Sequence, residues 1–184
     1  MENILWVTRH IPKQAVILLV DMQEHYFQDA EVSEKVQIRI QKRLSQMKAK
    51  LLGLKERGHT IYAVVDEAGI HPTLEGIPDT YLPAWCNGLV NVDSLDPAVR
   101  YLLHPQILEE LSTASADIVV CGLWRELCLY TVTRLLQKEE IIAYLSIDPD
   151  ISFENAMMWE DNDNISLESE CEEYGVLIQA VEQK

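Results

Sequence analysis

Residues Ala15 to Val20 form an unbroken apolar run, AVILLV, that stops at an acid, Asp21. A strand with no polar position on either side must have both faces covered, which is the mark of a parallel sheet held between layers of helix. The form recurs along the chain. Ile61 to Val65 ends in Asp66, Ile118 to Cys121 runs into Gly122, and Ile141 to Ile147 ends at Asp148. Between the first two runs Val36, Ile40, Leu44, Met47, Leu51 and Leu54 recur at steps of three and four, the buried stripe of a helix, and Gly58 follows as a stop signal.

Further helices are predicted over Ile107 to Leu111 and Glu126 to Gln137, helix and loop over 154 to 172, and a last strand over Gly175 to Val181. The stretch from 68 to 106 is punctuated by Pro72, Pro78, Pro83, Pro97 and Pro105 and yields one short strand near Leu89 to Val92. Strand and helix in alternation require crossover connections, so the predicted class is α/β: a three-layer α/β/α sandwich on a mostly parallel central sheet. A length of 184 residues with 48% hydrophobic residues suits one domain spanning 1 to 184.

Charge narrows the partners. Thirty acidic against fifteen basic residues give a formal net charge of −15, which repels phosphate backbones and anionic lipid surfaces, so neither nucleic acid nor membrane is expected as a partner. The acidic excess gathers in WEDNDNISLESECEE, which reads as a solvated face or loop. The first residues lack a basic stretch followed by a long apolar segment, so a cytoplasmic protein is expected. Cys86, Cys121, Cys128 and Cys171 lack the spacing of a disulfide framework or a zinc site and are expected to be reduced.

In such sheets ligands bind beyond the carboxyl ends of the strands, where the chain order reverses. Asp21, Asp66, the Gly122 turn and Asp148 all stand at those ends. Cys128 lies about one turn into the helix after strand 118 to 121, where unpaired N–H groups and the helix dipole would favour a thiolate. With Asp21 as base and backbone donors aimed at an oxyanion, this is a minimal kit for acyl transfer through a thioester. Each residue also has a plainer reading. Cys128 could be core packing, Asp21 a turn former or helix cap, and an acidic Cys128 could instead serve as a redox-sensing thiol.

Two segments carry a family resemblance. AVILLVDMQEHYF resembles the opening strand and loop of the isochorismatase-like cysteine hydrolases, and DIVVCGLWRELCLYTVTRLL resembles their second signature, a strand, a glycine turn and a cysteine on the following helix. The Ile141 to Ile147 strand fits their next strand. The resemblance implies a Rossmann-like fold and a hydrolase of a small amide-type (C–N) or related substrate. It makes Asp21 the general base and Cys128 the nucleophile, joins Leu123 and Trp124 by a non-proline cis peptide, and makes the Trp124 and Cys128 N–H groups an oxyanion hole. Trp124 could equally be an apolar wall of the pocket. Gln23, Tyr26, Phe27 and Asp66 fall where substrate would be bound, and a homo-oligomer is implied because relatives are commonly dimers or tetramers.

The sequence departs from the family at its lysine. No lysine occurs between Lys55 and Lys138, and the expected position falls between Asp96 and Arg100. Arg100 is the sole local substitute, and its planar, permanently charged fork is not equivalent to an ammonium. Glu139-Glu140 stands where relatives have a glycine, and Asp148-Pro149 where they have Asp-Ala. The alternative to the hydrolase is therefore a catalytically impaired relative acting as a binding or assembly module. Asp66 is followed by Glu67-Ala68, which does not repeat the metal site of the family's nicotinamidase branch, so His59, His71 and His104 are read as loop or surface residues. Neither metal nor cofactor is expected.

Overall fold

The computed structural model describes residues 3–27, 33–90, 93, 94, 96, 100–154 and 166–181. Strand β1 (Ile4–Thr8) is followed by β2 (Val16–Val20), helix α1 (Glu34–Glu56), β3 (Thr60–Val64) and β4 (Thr80–Leu82). Then come β5 (Cys86–Leu89), β6 (Tyr101–Leu103), α2 (Pro105–Thr113), β7 (Ile118–Gly122), α3 (Tyr130–Lys138), β8 (Ala143–Ser146), α4 (Leu167–Glu173) and β9 (Leu177–Ala180). Seven strands make one sheet in the order β4-β3-β2-β7-β8-β1-β9, every neighbouring pair parallel. β5 and β6 form a separate antiparallel pair.

The two-sided burial foreseen for the central strands is present. In β2, Val16, Leu18 and Val20 point into the core shared with α2, α3 and α4, while Ile17 and Leu19 point into the core shared with α1. β7 splits the same way, Ile118 and Val120 to one side and Val119 and Cys121 to the other. Helix α1 buries all six residues of its apolar stripe and is capped by Ser33, whose hydroxyl accepts the Val36 N–H at 3.4 Å. The result is the α/β sandwich read from the sequence.

Several boundaries differ. β1 was not foreseen, because only Leu5, Val7 and Thr8 are buried and the half-buried Ile4 and Trp6 blur the pattern. The short strand near Leu89 to Val92 lies earlier, at Cys86–Leu89, and residues 91 and 92 are outside the described residues. The helix predicted from Glu126 starts as α-helix only at Tyr130, after a π-helical turn over Arg125–Leu129. Of the acidic segment, 159–165 is outside the described residues, and the rest is not wholly solvated: α4 buries Leu167, Glu170 and Cys171. No described helix is long and apolar enough to cross a membrane.

Strand order reverses beside β2. The chain runs outward through β3 and β4 on one side and through β7 and β8 on the other, so the crevice of the fold opens at the carboxyl ends of β2 and β7.

Candidate active site

Gly122 sets the crevice. It pairs with Val20 across the β2–β7 ladder, its φ is +130°, and a Cβ there would lie 2.1 Å from the Val20 carbonyl oxygen. A side chain is therefore excluded, and the chain passes close enough for Leu123 N–H to donate to Val20 O at 3.1 Å. Asp21 and Trp124, each just past its strand, are both left-handed, with φ of 57° and 59°. Such backbone is uncommon for residues other than glycine and persists where surrounding structure enforces it.

The turn after Trp124 is π-helical. The Trp124 carbonyl accepts from Leu127 N–H at 3.0 Å and Leu129 N–H at 3.2 Å, and Tyr130 N–H donates to the Arg125 carbonyl. The wider turn carries an extra residue before α3, a feature frequent at functional sites. It holds Cys128 so that the thiol donates a hydrogen bond to the Asp21 carboxylate. The two residues that the sequence marked for chemistry are thus in contact, from loops 107 residues apart in the chain.

A third residue, unforeseen, completes the cluster. Trp85, in the segment between β4 and β5, donates its indole N–H to Asp21 Oδ1 at 3.3 Å. Its ring is braced edge-on by Tyr101 of β6, with centroids 5.4 Å apart. No spacing rule points to this residue. The only hint is a tryptophan among prolines, an amphipathic ring whose N–H needs a partner when buried.

Asp21 is 4% exposed. Burial pushes its carboxyl above the usual range and Asp66 adds to this, while the hydrogen bonds from Cys128 and Trp85 and the nearby His25 pull the other way. The Cys128 thiol is pushed far up, first by burial, then by the Asp21 charge and hydrogen bond, then by Glu126. This corrects the expectation of a dipole-stabilised thiolate. The helix proper begins after Cys128, and two neighbouring carboxylates and burial outweigh any favourable backbone field. These causes favour the protonated thiol over the thiolate, against an acidic, redox-sensing Cys128.

Arg100 does not join this cluster. Its guanidinium carbon lies 5.8 Å from the Tyr101 ring centroid and its charge acts on Tyr174, whereas the charged groups acting on Asp21 are Asp66 and His25. The Leu123–Trp124 cis peptide implied by the resemblance is absent: no peptide bond among the described residues is cis.

Tyr26 stands edge-on to Trp124 with centroids 4.6 Å apart, and its hydroxyl is pushed up to about 12 by burial and by Asp21, Cys128 and Asp66. It and Trp124 therefore lie beside the thiol–carboxylate pair. Asp66 accepts from Ala68 N–H at 2.9 Å and lies 4.0 Å from His25 at the same rim. Gln23 is buried, bridges to Ile70 and leaves its side-chain oxygen without a hydrogen-bond partner. Phe27 meets His71 edge-on at 5.2 Å. Asp148 turns to α1, where Lys50 pairs with it at 3.0 Å.

The described residues hold no group of three or more His, Cys, Asp or Glu side chains arranged to bind a metal. The histidines that the sequence raised accept backbone N–H groups instead: His59 from Ala15, His71 from Thr73, and His104 from Gln106 at the start of α2. Cys121 is fully buried in the α1-side core, and burial pushes its thiol far up.

No protein-family model and no curated protein sequence matches the chain. Among solved structures it is similar to one described as an isochorismatase hydrolase from Oleispira antarctica, with a TM-score of 0.52 and 15% sequence identity over 93% of this chain and 95% of that one. At that identity the likeness speaks to architecture alone. The chain has the isochorismatase-like α/β fold.

Proposed function

We propose that the chain is a cysteine hydrolase that cleaves a small amide-type (C–N) or related acyl bond through a thioester on Cys128. The observation that carries this reading is the hydrogen bond from the Cys128 thiol to the buried Asp21 carboxylate at the point where the strand order reverses. The sulfur attacks the substrate carbonyl carbon as its proton passes to Asp21, so no free thiolate accumulates. With the Leu123–Trp124 peptide trans, the oxyanion falls to the Cys128 N–H. When the C–N bond breaks, Asp21 returns the proton to the departing amine. Asp21 then takes a proton from water, whose oxygen attacks the thioester and releases the acid and the thiol. Trp85 acts as a positioning residue, its indole donor fixing the carboxylate. Tyr26, Trp124 and Asp66 flank the acyl group.

A second reading, a catalytically impaired relative that uses the crevice for binding or assembly, is favoured by the position of Arg100 against Tyr101, away from Asp21. The donor that Asp21 receives from Trp85 is a neutral indole, which offers a hydrogen bond without a positive charge to lower the thiol's proton affinity. Intact-mass spectrometry separates the two. Activated acyl esters and small amides should leave an acyl adduct on the wild-type protein that is absent from Cys128→Ala, with turnover lost in both Cys128→Ala and Asp21→Asn. If no adduct forms and no substrate turns over, while ligands of the crevice bind equally to wild type and Cys128→Ala, the hydrolase reading fails.

A further inference from the structure

A cleft lies at the opposite end of the sheet from Asp21 and Cys128, at the amino ends of β1 and β8. Its volume is about 610 Å³, within the range of small-molecule sites. Trp6 on β1 and Ile141 and Ile142 ahead of β8 form its apolar side, and Ile142 is 52% exposed. Arg134 and Lys138, one turn apart on α3, supply positive charge on the other side.

Arg134 is unusual. It is only 7% exposed, and among the described residues no ion pair includes it. Its guanidinium donates to the Ile4 carbonyl at 2.6 Å and to the Asn3 side-chain oxygen, and its Nε has no hydrogen-bond partner. A guanidinium cannot shed its charge, so a buried one held by neutral acceptors leaves an uncompensated positive field. Lys138 adds to that field, and burial together with the Arg134 charge lowers the proton affinity of its ammonium while Asp96 opposes this. In a chain of formal charge −15 the cleft thus brings two cations, Arg134 and Lys138, beside one wall carboxylate, Glu140.

We propose that this cleft is a second ligand site, which takes a small carboxylate with an apolar body: the body lies on Trp6, Ile141 and Ile142, and the carboxylate faces Arg134 and Lys138. Glu140, also in the wall, and the acidic protein around it select against phosphates and other multiply charged anions. The site is independent of the chemistry at Cys128.

The test uses 4-phenylbutyrate and its neutral isostere 4-phenylbutyramide, titrated calorimetrically into the full chain, with the Trp6 indole N–H followed by NMR and assigned through Trp6→Phe. The acid is expected to bind saturably and to shift the Trp6 signal. The amide should bind at least about tenfold more weakly, the order expected for losing a charge-assisted hydrogen bond. Lys138→Gln and Ile142→Glu change exposed positions, and a melting curve for each checks whether it folds. The first should weaken the acid's binding severalfold without touching the amide's, and the second should abolish both. Equal affinity for acid and amide, binding that survives Ile142→Glu, or no saturable binding would overturn the proposal. So would an assembly in which a second copy covers the cleft, seen as a wild-type oligomer that Ile142→Glu converts to monomers without any ligand bound.

Discussion

Gly122→Ala perturbs the joint on which the crevice depends. The added Cβ would lie 2.1 Å from Val20 O, 2.9 Å from Val20 N and 3.1 Å from Val20 C, all backbone atoms of the neighbouring strand. A carbon and a carbonyl oxygen approach comfortably only to about 3.3 Å, so β2 and β7 must part by about 1 Å at their carboxyl ends. That movement opposes the Leu123 N–H to Val20 O bond and the register of five residue pairs from Val16↔Ile118 to Val20↔Gly122. Forcing an L residue to φ +130° costs about 1–3 kcal/mol, and overpacking a close-packed position costs about 1–3 kcal/mol more. A loss of about 2–6 kcal/mol is a large share of the about 5–15 kcal/mol by which a domain is stable. At about 2–4 °C per kcal/mol for a chain of this size, Tm should fall by roughly 5–20 °C. Urea unfolding followed by tryptophan fluorescence measures the loss directly. Gly175→Ala is the control, because Gly175 also has positive φ, +63°, but no atom within 4 Å of its Cβ position. It should cost only the left-handed strain of about 1–2 kcal/mol. If Gly122→Ala costs no more than Gly175→Ala, the steric argument is wrong.

The thiol and carboxylate make further demands. Iodoacetamide should alkylate Cys128 slowly at neutral pH, since burial and Asp21 hold the thiol protonated; Asp21→Asn removes the nearby anion and should speed labelling, and unchanged rates would discount that electrostatic coupling. The same substitution suits the left-handed backbone at this position, which asparagine tolerates well. Because the folded Asp21 binds its proton more tightly than the unfolded one, its contribution to stability falls as pH rises from the ordinary carboxylate value through the raised one. Asp21→Asn should therefore raise Tm at pH 7 relative to wild type, with the gain shrinking toward acid pH. Trp85→Phe keeps the ring but deletes the donor to Asp21 Oδ1; stability should drop by about 1 kcal/mol or somewhat more, and a carboxyl NMR titration should show the Asp21 pKa moving further up. Glu140 is left-handed at φ 61°; Glu140→Gly should gain about 0.5–1 kcal/mol in urea unfolding, the relief of strain exceeding the added freedom of the unfolded chain.

The core of the fold was legible because burial on both faces leaves an unmistakable trace, an unbroken apolar run, and because α1 carries its contacts at a helical period. AVILLV and IVVC could be placed in a covered parallel sheet without coordinates; Asp21 could be marked because it directly follows the first run, and Cys128 because it falls about one turn into the helix after the second. Strands with one exposed side, β1 and the β5–β6 pair, left no comparable trace. Their order in the sheet or hairpin depends on partners far along the chain, such as Leu177 beside Ile4.

What the linear chain could not carry was the set of distances between loops. That Trp85 meets Asp21, that Arg100 turns to Tyr101, and that the half-buried Cys128 lies in the field of Asp21 and Glu126 are consequences of how separate crossovers pack. Residue type and local spacing govern which groups are available. Proton affinity is set by desolvation and by charges a few ångströms away, and those neighbours are chosen only when the strands assemble around the Val20–Gly122 contact.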